Sequence, residues 1–331
     1  MANSRPRVTI VTPVYNAGKY LQEAYESLLR QSFKEWHWSV VDDGSTDGCA
    51  EMLDEWQRRD ARITVVHQSN SGSAKQPRDR AVRAAKAPLL LMFDADDTLS
   101  DDYLETMISR MEATDADIVY PVLQFEENGI CQQRLPDGTI DETKVFCGRE
   151  LVASTLCGWS IGCGGGLYRR HIWVNMSSED TAPAHLLLNS DEVDERLYLL
   201  QAQRVAFAPA VYHYRQYGQS ITTAFSAKRF ERLNTNRQLT DIILREFGTA
   251  SKEWQLMQRQ NFCTWRSGMA LFAQNHKLLG ADEQRIRAEL LQTFKSLSIS
   301  SLTLSERIQF LGLCHFGLIE ALFHLRYNLK R

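Results

Sequence analysis

Short apolar runs alternate with stretches of helical periodicity throughout the first 120 residues of the chain. The runs have the length and the β-branched character of strands that are buried on both faces of a parallel sheet. The predicted strands are residues 8–11, 36–41, 63–66, 89–93 and 118–123. Ser100 is the expected N-cap of the helix that follows the fourth strand, with Asp101 and Asp102 in its first turn. Such repeats form right-handed βαβ units, so we predict an α/β fold with a doubly wound, mostly parallel sheet flanked by helices.

The remainder of the chain divides into two parts. Residues 121–225 are less regular, whereas residues 226–331 carry one helical pattern after another without a proline. The clearest of these patterns span residues 233–247, 254–272 and 281–294. We therefore predict three parts, namely the strand–helix repeats of residues 1–120, a second half of the sheet domain in 121–225, and an α-helical C-terminal region in 226–331.

Composition excludes several classes of protein. The 331 residues include 38 basic and 41 acidic side chains, for a net charge of −3, and so lack the basic excess expected of a nucleic-acid-binding protein. The seven cysteines are scattered and no apolar leader is seen, so we expect free thiols in the cytoplasm. The most apolar window, residues 308–325, is interrupted by polar side chains, so no membrane span is predicted.

Two acidic segments follow predicted strands. Asp94-Ala95-Asp96-Asp97 comes after the fourth strand, and Asp42-Asp43-Gly44-Ser45 comes after the second. In doubly wound sheets, ligands bind beyond the carboxyl ends of the strands, which makes both segments candidate site residues. Carboxylates at positions i and i+2 can cooperate on one Mg²⁺ or Mn²⁺ ion that keeps open positions for diphosphate oxygens. The alternative is an acidic turn that leads into a helix.

Three further residues each allow two interpretations. Asp43 could accept a hydrogen bond from a base N–H, or it could belong to a simple turn. Tyr15 follows the first strand and could stack on a base or fill the core. Arg78 could pair with a phosphate group or point to solvent at the start of a helix.

Four segments occur in the order and spacing of a known family. They are residues 8–16 (VTIVTPVYN), 41–48 (VDDGSTDG), 70–72 (NSG) with Arg78-Asp79, and 93–97 (FDADD). Together they closely resemble the nucleotide-sugar half of family 2 glycosyltransferases, the inverting enzymes with a GT-A fold, over about residues 7–120. One departure is Lys75-Gln-Pro-Arg-Asp79, where the family often has small residues followed by Arg-Asn.

This resemblance implies that residues 1–120 form the nucleotide-sugar-binding half of a GT-A domain, with UDP as the favoured nucleotide. The donor-binding residues would be Pro13, Tyr15, Asp43, Arg78, Asp94 and Ala95. Within this set, Tyr15 and Asp43 would lie at the base, Arg78 near the nucleotide or diphosphate, and Asp94 near the ribose or the metal. The implied cofactor is Mn²⁺ or Mg²⁺, held by Asp96 and Asp94.

Residues 121–225 resemble the acceptor-side half of the family more loosely, through segments 164–170 (GGGLYRR) and 189–195 (NSDEVDE). The second segment falls where the family carries an acidic pair, usually Glu-Asp, whose second member is the catalytic base. The alignment gives that role to Asp191 and replaces the preceding Glu by Ser190, with Glu192 as the competing candidate. His213 could approach the diphosphate or complete the metal shell, or it could be a hydrogen-bonded packing residue.

The implied function is inverting transfer of a hexose-type sugar to a hydroxyl of a glycan or lipid-linked saccharide, as in the synthesis of a surface polysaccharide. An alternative is a catalytically silent sugar-nucleotide-binding or scaffold subunit of a glycan assembly complex, which the serine at position 190 keeps open. A nucleotidyltransferase shares the sheet type, but residues 13–16 lack the glycine-rich phosphate loop expected of that class.

The last predicted helix suggests a partner of its own. Residues 307–331 carry four basic side chains against Glu320, among many Leu, Ile and Phe residues. Such a helix could lie peripherally on the inner face of a membrane that contains anionic lipid, which suits a lipid-linked acceptor. The alternatives are packing on the protein itself or on another subunit of a homo-oligomer.

Overall fold

The strand–helix repeats build one layered sheet in the computed structural model. The structure describes residues 5–125, 141, 143–156, 164–174, 190–215, 225–311, 320–323 and 325. Within these residues the strands are β1 Val8–Val14, β2 Trp36–Asp42, β3 Ile63–His67, β4 Leu89–Met92, β5 Thr98–Leu99, β6 Ile118–Phe125, β7 Leu167–Arg169 and β8 Val205–Tyr214. The helices are α1 Gly18–Arg30, α2 Cys49–Arg59, α3 Lys75–Ala84, α4 Tyr103–Thr114, α5 Gly148–Thr155, α6 Arg170–Val174, α7 Ser190–Gln201, α8 Arg232–Phe247, α9 Lys252–Asn275, α10 Glu283–Ser296 and α11 Leu304–Leu311.

The strands lie in the order β3-β2-β1-β4-β7-β6-β8-β5. The first four in this order are parallel to one another. Strand β7 is antiparallel to both of its neighbours, β6 and β8 are again parallel, and β5 pairs antiparallel with β8 at the edge. The predicted doubly wound, mostly parallel sheet is therefore confirmed. Since β1, β2 and β4 are parallel, the residues that follow them emerge at the same edge of the sheet.

Apolar side chains cover both faces of the sheet, which explains why the parallel strands read as nearly continuous apolar runs. On one face, Ile10 and Trp38 pack in a core with α1, α2 and α4. In that core, Tyr25 stacks on Trp38 and Trp56, with ring centroids 5.7 Å and 4.2 Å apart. On the other face, Val11 lies in a core with residues of α3, α5 and α7.

Helices α8 and α9 extend this second core. Leu239 and Ile243 of α8 and Met257 of α9 are buried in the same cluster as residues of α5 and α7. A further cluster joins Trp265 of α9 to Leu290 of α10. The helical C-terminal region thus packs directly on the sheet domain, while the boundaries at 120 and 225 stay predictions.

The prediction that Ser100 caps a helix is wrong. Helix α4 begins at Tyr103, after Asp102, and its cap residue makes no side-chain hydrogen bond. The Ser100 hydroxyl instead accepts a hydrogen bond from the backbone N–H of Val211, at 3.3 Å. The reason is that β5 pairs with β8, so the chain leaves the sheet edge only after this residue.

Other predictions concern features that the structure shows in part. In the described ranges, no helix is long and apolar enough to cross a membrane. Among the described residues, Cys49, Cys147 and Cys263 are free thiols. Most of the predicted terminal helix of residues 307–331, including 312–319 and 326–331, lies outside the described residues.

Candidate active site

The loop between β4 and β5 carries Asp94, Asp96 and Asp97, and β8 holds it in place. The backbone N–H of Asp94 donates a hydrogen bond to the hydroxyl of Tyr212, at 3.1 Å, and that hydroxyl donates to Asp97, at 2.8 Å. The backbone N–H of Arg215 donates to the other carboxylate oxygen of Asp97, at 2.9 Å. Asp97 is 1% exposed and therefore acts as the internal anchor of the loop.

The other two carboxylates of this loop are partly exposed. An Nη atom of Arg78 lies 3.7 Å from a carboxylate oxygen of Asp94. Burial raises the pKa of Asp94, Arg78 lowers it, and the charge of Asp191 raises it again. Burial and the charge of Asp94 raise the pKa of Asp96 to about 6. The loop thus concentrates negative charge that a cation would relieve.

Asp191 and Glu192, the two candidate bases, lie in the first turn of helix α7. The charge of Asp191 acts on Asp94 and, together with the three loop carboxylates, on Tyr214, whose pKa burial and these charges raise to about 12. The carboxylate of Glu192 lies 2.5 Å from an Nη atom of the buried Arg196, one helical turn further along. The two acids that the sequence left in competition therefore have different partners.

Asp43 forms the other end of the site, after β2. It is 3% exposed, and its oxygens accept hydrogen bonds from Nε2 of Gln68 at 2.6 Å and from the hydroxyl of Ser71 at 2.8 Å. Gly44 has a φ of +77°, and a Cβ there would lie 2.8 Å from the backbone nitrogen of Asn70. Only glycine fits this close approach of two loops without strain.

The remaining donor-side residues lie along the same edge. Tyr15 follows β1 and is 52% exposed, so its ring is available for stacking rather than part of the core. Pro13 pairs in register with Val41 of β2, and Ala95 is buried within the acidic loop. The structure therefore gathers the sequence-predicted residues of this half into one region.

His213, the third residue named as a possible metal ligand, lies on β8, where it pairs in register with Thr98 of β5. Its neighbours Tyr212 and Tyr214 both interact with the acidic loop. The role of His213 as a ligand stays a prediction. Among the residues that the structure describes, no three His, Cys, Asp or Glu side chains lie close enough together to hold a metal ion.

Sequence reasoning missed the residues that support the site from a distance. Tyr212 clamps the acidic loop across 118 positions of sequence, and Lys75 pairs with Asp194 across 119 positions. No local pattern identifies such contacts. One indirect signal for the second pair was the departure from the family's small residues at position 75.

The fold and the site together define a GT-A domain. The acidic loop after β4 and the loop that carries Asp43 meet at the carboxyl edge of a mostly parallel sheet. Residues 9–170, just under half of the chain, match the model of "Glycosyl transferase family 2". The chain therefore carries a domain of the glycosyl transferase family 2, which confirms the resemblance seen in the sequence.

Similar proteins agree with this assignment. Glycosyltransferase GlyG of Streptococcus pneumoniae is 37% identical over 112 residues, which are 34% of this chain and 37% of GlyG. The chain spans less than two thirds of the length of the relatives it matches first. The solved structure of S. aureus TarS 1-349 in complex with UDP superposes with a TM-score of 0.69 at 16% identity, covering 98% of this chain and 92% of that one. Mannosyltransferase PcManGT from Pyrobaculum calidifontis, in complex with GDP-Man and Mn²⁺, gives a TM-score of 0.52 at 16% identity, with coverages of 97% and 87%.

Proposed function

We propose that this chain is an inverting glycosyltransferase that moves a sugar from a UDP-linked donor to a hydroxyl of a glycan or lipid-linked saccharide. The observation that carries the proposal is the acidic loop after β4, which Tyr212 holds in place and where an Nη atom of Arg78 lies 3.7 Å from Asp94. The charge of Asp191, in the first turn of a helix of the acceptor-side half, also acts on Asp94. A single displacement between two substrates needs a base on the acceptor side near the groups that hold the donor.

The donor would lie along the carboxyl edge of β1, β2 and β4. Tyr15 is exposed enough to stack on the nucleobase, and Asp43 lies in the neighbouring loop as a buried acceptor of hydrogen bonds. Arg78 is close to Asp94 and would pair with the diphosphate. The solved structures of TarS with UDP and with UDP-GlcNAc support a UDP-linked donor by analogy of fold.

In the proposed reaction, Asp191 accepts the proton of the acceptor hydroxyl while that oxygen attacks the anomeric carbon. The bond to the nucleoside diphosphate breaks in the same step, so the anomeric configuration inverts. A positioned general base contributes roughly 10²- to 10⁴-fold to the rate. Asp94 and Asp96 would hold Mn²⁺ or Mg²⁺, which, when bound, stabilises the charge on the departing diphosphate.

The decisive experiment compares Asp191→Asn with Glu192→Gln as a matched control. We expect Asp191→Asn to bind UDP as the wild type does and to lose about 10²- to 10⁴-fold in turnover of a panel of UDP- and GDP-sugars. Glu192→Gln should retain turnover, because that carboxylate pairs with Arg196.

Isothermal titration calorimetry with UDP and release of nucleoside diphosphate are the measurements. The reverse pattern would assign the base to Glu192. UDP binding without turnover of any donor by the wild type would favour the catalytically silent subunit.

We also infer contact with a membrane surface, which a lipid-linked acceptor would require. Leu322 and Leu325 near the end of the chain are 43% and 58% exposed. Between them, Phe323 packs on the helical core, and Glu320 pairs with Arg287 of α10 at 2.7 Å. The described part of the terminal segment is thus anchored on one side and presents leucines on the other, which supports an interfacial role.

A further inference from the structure

Helices α3 and α7 are linked by an ion pair between Lys75 and Asp194. Lys75 and Arg78 are three positions apart on α3, and Asp191 and Asp194 are three positions apart on α7. Residues at this spacing lie on the same face of a helix, one turn apart. One turn along each helix from this pair, Arg78 lies 3.7 Å from Asp94, and the charge of Asp191 acts on the same carboxylate.

The first of these pairs is fully desolvated. Nζ of Lys75 lies 2.6 Å from a carboxylate oxygen of Asp194, and their side chains are 4% and 3% exposed. A carboxylate oxygen of Asp79 lies 3.5 Å from the same Nζ. A buried ion pair adds little net stability, because the desolvation of both charges offsets their attraction. The best-attested use of such a pair is to fix the register of two elements.

Two further residues of α7 make polar contacts with the acceptor-side half. Glu195 accepts hydrogen bonds from Tyr120 of β6 and from Tyr168 of β7, the second at 2.9 Å. Arg196 donates to the backbone carbonyl of Thr155 at the end of α5, at 2.8 Å. The Lys75–Asp194 pair runs instead to α3, the helix that carries Arg78.

We propose that Lys75 and Asp194 form a positioning pair that sets the register of α7 against α3 and thereby the placement of Asp191 relative to the donor site. The inference rests on the proposed function, since it assigns no reaction of its own. A register error of one ångström between a base and its substrate is enough to cost about 10²-fold in rate. The pair lies in the segment where the sequence departs from the small residues usual in the family, so it is a feature of this chain.

The test replaces both charges together with Lys75→Met and Asp194→Leu, so that no charge is left buried without a partner. We expect this double variant to fold with a Tm near that of the wild type, because apolar replacement of a buried pair is often neutral. UDP affinity should stay within about twofold, while turnover of a UDP-sugar falls by about 10- to 100-fold. A split of this kind between binding and turnover is not what a merely structural contact would give.

Two further variants serve as control and rescue. Tyr168→Phe removes a contact of α7 with the acceptor-side half and should leave turnover unchanged. The exchanged pair, Lys75→Asp with Asp194→Lys, keeps an attraction between the helices and should restore part of the lost turnover. If the apolar variant does not fold, Lys75→Arg retains the charge and changes the length of the link, and its turnover should fall with Tm preserved.

Asp191→Asn is measured in parallel, which separates the positioning role of the Lys75–Asp194 pair from the proposed function. Wild-type turnover in Asp191→Asn would refute the base role of Asp191 in the proposed function. The positioning role alone is refuted if Asp191→Asn loses turnover while the apolar double variant keeps wild-type turnover and UDP affinity. If the double variant does not fold, the same outcome for Lys75→Arg refutes it.

Discussion

Burial is the main cause that raises the pKa of Asp94 and of Asp96, and the charge of Asp94 raises the pKa of Asp96 further. The pKa of Asp96 is about 6, above the unfolded value of about 3.9. The native state therefore binds this proton more tightly than the unfolded state does. As a result, the folded protein loses stability as the pH rises from about 4 to about 6, and the loss persists at pH 7.

Asp96→Asn is accordingly expected to stabilise the protein at pH 7 while it removes a proposed metal ligand. In EDTA, the free energy of unfolding should rise by about 1 to 2 kcal/mol, a value that allows for solvent screening of a partly exposed group. Near pH 4 the gain should shrink towards zero, because Asp96 of the wild type is then largely protonated. Urea denaturation at both pH values measures the difference.

Asp241→Asn, on the exposed face of α8, is the matched control and should change stability at neither pH. Added Mn²⁺ should raise the Tm of the wild type through binding to the native state, and it should raise that of Asp96→Asn much less. An equal response of the two proteins to Mn²⁺ would rule out Asp96 as a ligand.

At the scale of elements, helix α7 shows four acids of one segment with four different surroundings. The charge of Asp191 acts on the acidic loop, Glu192 pairs with Arg196 on its own helix, Asp194 reaches α3, and Glu195 accepts from two tyrosines of the sheet. Position on the helix decides among them, because successive residues point about 100° apart. The neighbouring elements supply the partner that each direction meets.

The loop before β7 provides a second test at this scale. Gly165 has a φ of +78°, and a Cβ there would lie 2.6 Å from a ring carbon of Tyr212 and 2.9 Å from the hydroxyl of Tyr103. Gly165→Ala should therefore lower the free energy of unfolding by about 2 to 4 kcal/mol, from backbone strain plus overpacking. It should also weaken UDP binding in the presence of Mn²⁺, since Tyr212 clamps the acidic loop.

Gly48→Ala isolates the backbone term of this prediction. Gly48 has a left-handed φ of 92°, but nothing lies within 4 Å of an added Cβ. We expect a loss of about 1 kcal/mol and unchanged affinity for UDP. Chemical denaturation gives the free energy of unfolding of the two variants, and calorimetry gives their affinity for UDP. Equal losses of unfolding free energy would show that Tyr212 moves away from the added methyl group without cost.

At the scale of the whole molecule, the net charge of −3 is an average over unlike parts. Carboxylates gather at the carboxyl edge of the sheet, whereas basic residues are frequent at the end of the chain. The helical C-terminal region shares a core with the sheet domain through Leu239, Ile243 and Met257. A surface that binds a membrane there would hold the active site at a fixed height above the lipid.

The membrane proposal predicts that the full chain floats with vesicles of phosphatidylcholine and phosphatidylglycerol. Leu322→Ser combined with Leu325→Ser should reduce the bound fraction about tenfold or more, since each substitution removes exposed apolar area that would enter the interface. Leu278→Ser, at another leucine that is 72% exposed, is the control and should float as the wild type does. Equal flotation of all three proteins would refute membrane contact through this segment.

Much of the donor side could be predicted because its signals are local. Tyr15, Asp43 and Asp94 each follow an apolar run, and parallel strands bring their carboxyl ends to one edge. The prediction for Ser100 was wrong because a contact between residues far apart in the chain overrides the local signal. Its local context is that of a helix cap, but the pairing of β5 with the distant β8 gives its hydroxyl another partner.

The sequence by itself determined the alternation of strands and helices, the acidic segments at the strand ends and the likeness to a family. These follow from periodicity and motif, which short stretches of chain encode. Only the tertiary structure shows that Glu192 pairs with Arg196, that the charge of Asp191 acts on Asp94, and that Lys75 lies against Asp194. Those outcomes depend on the rotation and register of packed elements, which contacts between residues far apart in the chain fix.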